Sequence, residues 1–156
     1  MAEPLALIPV SYVIFRHAAS VLLQLRQGTG YQDGRWATAA AGHVEAGESA
    51  EAAAVREAHE ELGVSVSAEH LLPLTTMHRS HPHGPTLAQR VDFFFSCEAW
   101  SGEPRIMEPA KAADLQWFHL SDLPAEMIPH ERYVLEHLTA GVPPIISFGF
   151  GTNGNP

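Results

Sequence analysis

The stretch GHVEAGESAEAAAVREAHEELGV, residues 42–64, decides how this chain folds. It holds six glutamates, and Glu57, Glu60 and Glu61 fall within five consecutive positions of an alanine-rich segment. Ser49 is a good N-cap, Gly63 suits the left-handed residue that ends a helix, and the alanines between them are the strongest helix formers. A helix is therefore expected over 50–62. At about 100° per residue, Glu57, Glu60 and Glu61 form one stripe, with Val55, Ala58 and Leu62 on the opposite side. Like charges at these spacings each cost about 0.2–0.5 kcal/mol on an isolated helix. Two things offset that cost: Arg56, four residues before Glu60, and a hard divalent cation, since Mg²⁺ takes oxygen ligands from a few carboxylates together with substrate phosphates.

Glutamate-rich helices are mostly solvated faces, but here the cluster recurs with fixed partners. Gly42, Glu48, Arg56, Glu57, Glu60, Glu61 and Gly63 stand at set spacings. In this composition, seven such identities arise by chance with odds on the order of one in 10⁵ or rarer.

The rest of the chain sets the frame. With 156 residues, 46% of them hydrophobic, the expectation is one domain over 1–156, with 145–156 a weakly ordered tail. The net charge of −9 is the wrong sign for gripping a nucleic-acid backbone, so a polymeric nucleic acid is not an expected partner. A small phosphorylated molecule remains open to an acidic protein if a cation stands between the two negative partners. The single cysteine, Cys97, cannot form an internal disulfide and reads as a buried thiol in a reducing compartment. The first 16 residues lack a basic start and are interrupted by Pro4 and Pro9, so they read as a strand, not a leader. No run approaches the roughly 18 apolar residues of a membrane span. The expected setting is cytoplasmic, with no membrane partner.

Val10–Phe15 and Ser20–Arg26 are β-branched and aromatic runs, and GTGYQDGR (28–35) between the second run and Trp36 is turn chemistry. Residues 71–80 and 87–100 read as long strands around the turn HPHGP, and 115–120 as a further short one. Pro129 to Ala140 reads as a helix stopped by Gly141. Several strands, a helix, more strands and a final helix, without regular alternation, indicate an α+β fold.

The spaced constellation resembles the Nudix box, G-x5-E-x7-R-E-U-x-E-E-x-G-U, where U is a bulky apolar residue. Every fixed letter is present, and only Ala58, at the first U, is smaller than usual. The motif covers 23 residues, and the strand order around it is similar to that family's fold, mixed β-sheets sandwiched between α-helices. Carried over residue by residue, the resemblance implies that Glu57, Glu60 and Glu61, helped by the carbonyl of Gly42, hold Mg²⁺ or Mn²⁺. Arg56 and Glu48 would orient the loop against the helix, and Gly63 would end it. The family often has Pro-Gly-Gly before the box; this chain has Ala40-Ala41-Gly42. One carboxylate would act as base, with Glu60 or Glu61 the first candidates and Glu108, in IMEPAK, a candidate outside the box beside its solvated reading next to Lys111.

The activity so implied is metal-dependent cleavage of the diphosphate bond of a nucleoside diphosphate derivative or a (deoxy)nucleoside triphosphate, as in MutT-like enzymes. A small nucleotide is expected before a capped RNA, and a homodimer is compatible with the resemblance. A binding or regulatory module without turnover is the second reading, and isomerisation of an isoprenoid diphosphate a third that would call for a differently placed cysteine. Arg79, Arg90 and Arg105 are candidate phosphate or sugar contacts. His78, His81 and His83 lack zinc-site spacing and read as exposed loop residues. Trp36, Trp100, Trp117 and Phe93–Phe95 read mostly as core, with base stacking the alternative.

Overall fold

The computed structural model describes residues 1–81 and 89–151. Its central strand, β1 (Ile8–His17), has buried residues from Val10 to Phe15, so both of its faces are covered. Odd positions (Val13, Phe15) enter one core, and even positions (Val10, Tyr12, Ile14) enter the other. That continuous burial is what a central strand requires.

β2 (Ser20–Arg26), β3 (Trp36–Thr38) and β4 (Ala40–His43) follow. Helix α1 (Ala50–Leu62) comes next, then β5 (Leu71–Arg79), β6 (Arg90–Cys97), β7 (Ala112–His119), α2 (Pro129–Glu136) and β8 (Ile145–Phe148). β1 lies parallel to β6 and antiparallel to β4. β5 is antiparallel to β6 and parallel to β8. β2 carries β3 and β7 on its two edges and joins the rest through Arg16↔Val21 and His17↔Ser20 of β1. The α+β expectation thus holds as a mixed eight-stranded arrangement. α1 supplies Ala54, Ala58 and Leu62 to the first core, and α2 supplies Val134 and Leu135 to the second.

Several expected boundaries change. The predicted tail over 145–156 is corrected at its start, because Ile145–Phe148 form β8. The outer edge of β5 needs hydrogen-bond partners; Thr76 N–H donates to Pro144 O at 3.0 Å, Ser80 N–H to Phe148 O at 2.9 Å, and Ile146 is buried. Helix α2 stops at Glu136, short of Ala140, because its last turn tightens: His137 N–H turns to Val134 O and Leu138 N–H to Leu135 O. β7 starts earlier than expected because Ala112 and Asp114 still pair with β2. β6 ends at Cys97, before Trp100, whose ring turns onto Phe15 and Trp117. The HPHGP turn beyond His81, and with it His83 and the first residues of the expected 87–100 strand, lie outside the described residues.

Phe94, Phe95 and Cys97 are buried, as read from sequence, and Trp117 is exposed. No helix among the described residues is long and apolar enough to cross a membrane.

Candidate active site

The box helix is built by its ends. Ser49 Oγ accepts the Ala52 N–H at 3.1 Å, and Gly63, at φ 69°, turns the chain while its N–H reaches His59 O at 2.9 Å. Between them the small residues Ala53, Ala54 and Ala58 are buried, which lets the helix lie close to β4. That closeness corrects the expected ridge. Glu57 and Glu61 do not stand opposite the buried face but on its flank, half-covered and aimed at β4, whereas Glu60 is exposed. Gly42 is required by the same approach: a Cβ there would collide with the Glu57 carboxylate. Glu61 Oε2 accepts the Ala41 N–H at 3.1 Å, so Ala41, in place of the glycine usual before the box, contributes through its main chain.

Arg56 is the hub. Its Nε and Nη2 donate to the two oxygens of Glu48 at 3.1 and 2.6 Å, its Nη1 to Glu57 Oε1 at 2.6 Å and to Glu60 Oε2 at 3.2 Å, and its Nη2 to the His43 carbonyl at 2.9 Å. Glu48 also accepts the Glu45 N–H at 2.7 Å, which closes the loop between β4 and α1. The Arg56 hydrogen bonds hold the Glu48 carboxyl below its ordinary range, and those same bonds hold Arg56 firmly charged.

One guanidinium does not neutralise this neighbourhood. Burial pushes the Glu61 carboxyl up to about 8, with the charges of Glu57 and Glu108 pushing the same way against the Ala41 hydrogen bond. Burial also raises Glu57, and Glu60 and Glu108 add to it while Arg56 opposes. Hard oxygen donors carrying uncompensated negative charge suit a divalent cation of the Mg²⁺ or Mn²⁺ type. Among the described residues, no three acidic or imidazole groups converge into a ready ligand set. Arg56 draws Glu57 and Glu60 to itself, and Glu61 leans on Ala41. The donor chemistry of Glu57, Glu60 and Glu61 fits a divalent ion.

Glu61 opens onto a cleft of about 340 Å³ whose other walls carry Gln24 and Arg26 of β2, Thr29, Glu108 and Lys111. Glu108, the candidate from outside the box, borders this cleft and lies 3.5 Å from Lys111 Nζ. Arg26, Gln24 and Lys111 were not singled out. Lys111 is the only lysine of the chain and Arg26 lies two residues before the glycine-rich turn, which were the available signals. Arg26 is held by Nε to Tyr31 O at 3.0 Å and Nη2 to Thr29 Oγ1 at 3.1 Å.

The other predicted contacts separate. Arg90 stays half-exposed, and the register Val10↔His43 and Ile8↔Arg90 brings it beside the residue after Gly42. Its Nη1 donates to His43 Nε2 at 3.1 Å, which requires that ring nitrogen to be unprotonated. Arg79 is corrected: it is buried, with Nε and Nη2 donating to the two oxygens of Asp92 at 2.6 and 3.2 Å, because Arg79 and Asp92 enter the same core from neighbouring strands. Around this pair lies a buried polar cluster absent from the sequence reading, in which Tyr12 Oη is 3.0 Å from His130 Nε2. Beside it Glu131 Oε1 accepts Thr38 N–H at 2.8 Å and Thr38 Oγ1–H at 2.6 Å. Arg105 is exposed and sits against the end of α1, its N–H donating to Leu62 O at 3.1 Å. His78 is half-buried, 2.9 Å from Gln89 Oε1, and His81 is exposed.

A mixed sheet here carries a capped helix of carboxylates beside a cleft lined by both cations and carboxylates, in an α+β fold. The NUDIX domain family model matches residues 7–138, and the chain belongs to the Nudix family of hydrolases. The NAD-capped RNA hydrolase NudC of Pseudomonas aeruginosa is 38% identical over 98 residues, 63% of this chain and 31% of that protein, so the match spans about a third of the curated relative. The crystal structure of a MutT NUDIX hydrolase from Burkholderia pseudomallei superposes with a TM-score of 0.76 at 27% identity, covering 85% of this chain and 98% of that one. A bifunctional NMN adenylyltransferase/ADP ribose pyrophosphatase from Francisella tularensis, complexed with AMP and a Mn ion, shares the fold at a TM-score of 0.64 and 17% identity, covering 89% of this chain and 43% of that one.

Proposed function

We propose that this protein is a divalent-metal-dependent pyrophosphohydrolase that cleaves the diphosphate bond of a nucleoside diphosphate derivative or a (deoxy)nucleoside triphosphate. The observation that carries the reading is the pairing of Glu57 and Glu61, carboxylates packed against Gly42 and Ala41 that share the single guanidinium of Arg56 at Glu57, with a cleft whose far walls bear Arg26 and Lys111.

In this reading Glu57, Glu60 and Glu61, with the carbonyl of Gly42, hold Mg²⁺ or Mn²⁺. When bound, the ion supplies Lewis acidity toward the phosphoryl oxygens. The remaining work is the chain's own. Arg26 and Lys111 neutralise and orient the diphosphate from the facing walls, and Arg90 extends the cationic rim beside His43. Arg56 keeps the 43–48 loop registered on α1 through Glu48 and the His43 carbonyl. Of the two glutamates considered as base, Glu61 borders the cleft while Glu60 faces solvent, so Glu61 is the one that would take the proton from the attacking water, as a base in place of a permanent ligand. Glu108 supports the same role from the opposite wall. The substrate is a small nucleotide and not a polymer, in keeping with the net charge of −9, and the free, buried Cys97 supports a reducing, cytoplasmic setting. A homodimer is compatible with this reading.

The test is incubation of the protein with Mg²⁺ or Mn²⁺ and a panel of dNTPs, ADP-ribose, NAD, dinucleoside polyphosphates and sugar nucleotides, with products read by ³¹P NMR. Cleavage at a diphosphate of any member supports the proposal. Tight nucleotide binding without a product under either metal transfers the protein to the class of binding modules.

A further inference from the structure

The segment from Arg105 to Ala112 ties together parts of the cleft that are distant in the chain. At one end, the N–H groups of Arg105 and Met107 donate to Leu62 O at 3.1 Å and Glu61 O at 3.2 Å, capping the last turn of α1. At the other end, Gln27 grips it twice: its main-chain N–H donates to Lys111 O at 2.9 Å, and its side-chain Nε2 donates to Pro109 O at 2.7 Å. The next residue, Gly28, lies so close that a Cβ would stand 2.6 Å from the Ala110 carbonyl oxygen. Within the segment, Lys111 and Ala112 donate their N–H groups to Glu108 O at 2.9 and 3.1 Å, forming a tight turn. Lys111 Nζ is 3.5 Å from Glu108 Oε1. Glu108 and Lys111 border the same cleft as Glu61.

Gln27 is itself exposed and belongs to neither core, so core packing gives no reason for both of its polar groups to be spent on two carbonyls of a single turn. The turn has no strand partner of its own between Met107 and Lys111. Its position relative to Glu61 therefore depends on the end of α1 on one side and, on the other, on the β2–β7 pairing at Ala112, which Gln27 extends by one main-chain bond and reinforces with its side chain.

We propose that Gln27 is a positioning residue of the site, acting through the Pro109–Lys111 turn to hold Glu108 and Lys111 at the cleft wall that faces Glu61. This inference rests on the cleft being the hydrolytic site. Glu61 is set independently, by α1 and by Ala41, so loss of the Gln27 amide shifts one wall against a fixed opposite one. Misplacement of a catalytic wall by about 1 Å costs up to roughly a hundredfold in rate.

The experiment compares the full chain with Gln27→Ala, Glu108→Gln and the double variant. It measures kcat and KM with Mn²⁺ on whichever panel substrate the parent cleaves, melting temperature, and amide hydrogen exchange of residues 108–112. Gln27→Ala is expected to lower kcat/KM by about tenfold at unchanged melting temperature, with faster exchange at Lys111 and Ala112 and none at α1. In the Glu108→Gln background the same change is expected to cost less than in the parent, because the part of its effect that acts through Glu108 has already gone and only the part through Lys111 remains. Gly28→Ala pushes the turn from the other side and is expected to show the same non-additivity. Parental rate and parental exchange in Gln27→Ala overturn the proposal, as do losses that multiply in the double variant with exchange unchanged. If the parent cleaves nothing in the panel, the hydrolase reading fails separately, and the exchange result alone decides whether Gln27 holds the turn.

Discussion

The Glu61 carboxylate accepts the main-chain N–H of Ala41 across 20 positions of sequence, at 3.1 Å. This bond ties the box helix to the strand that leads into it, and it leaves the second carboxylate oxygen of Glu61 free at the edge of the cleft. Burial makes the group a poor carboxylate in isolation, which is the state a cation or an incoming proton relieves.

Glu61→Gln keeps an acceptor for Ala41 and removes the charge. It is expected to leave the melting temperature at pH 7 close to that of the parent, because burial pushes the Glu61 carboxyl up to about 8 and keeps it largely neutral there, while turnover falls by about 10²–10⁴-fold. A calorimetric scan paired with initial rates checks both halves; turnover close to parental removes Glu61 from the chemistry.

Arg56→Lys retains one positive charge but cannot fork onto Glu48 while also reaching Glu57 and the His43 carbonyl. Because these groups are partly exposed, the stability loss is expected to be small, about 1 kcal/mol. Activity is expected to fall by more than tenfold as the 43–48 loop loosens. Chemical denaturation and kcat measured on the same sample separate the two effects.

Asp92→Asn leaves the Arg79 guanidinium buried without its counter-charge. Breaking a buried pair from one side costs about 3–5 kcal/mol, so a large drop in the urea midpoint is expected. A near-parental midpoint combined with a raised KM would instead return Arg79 to the role of a substrate contact.

Glu131 is buried, and burial pushes its carboxyl up to about 7 against the two Thr38 hydrogen bonds. A raised acid binds its proton more readily folded than unfolded, so its contribution is fully present below about 4.5, its ordinary value, and is lost as pH rises through about 7. The full swing is about 3 kcal/mol. His130, lowered by burial, works in the opposite sense, gaining stability as pH rises toward its ordinary value. The difference between parent and Glu131→Gln isolates the acid: the variant is expected to match the parent near pH 5 and to melt several degrees higher at pH 8.5. Equal differences at both pH values refute the assignment.

The local features of this protein were written in its sequence. Ser49, the alanines and Gly63 define α1 to the residue, because caps and propensity act within a turn or two; Ser20–Arg26 likewise declares its own strand by composition. The resemblance to the Nudix box implied orienting roles for Arg56 and Glu48, and the two side chains meet at 2.6 Å. Periodicity placed Ala58 and Leu62 on the buried side of α1, as found, but only the tertiary structure decided that Glu57 and Glu61 lie against Gly42 and Ala41 while Glu60 faces water. Periodicity reports an apolar stripe; what covers its edges depends on how closely β4 approaches. Arg79 was misread for the same reason, since a charged residue in a strand shows no sign in sequence of the Asp92 that a neighbouring strand brings to it. The strand Ile145–Phe148 exists because β5 has an open edge, and the cleft exists because residues 24–29 and 108–112 meet. Such pairings are set by register and burial between segments far apart in the chain, and no local pattern encodes them.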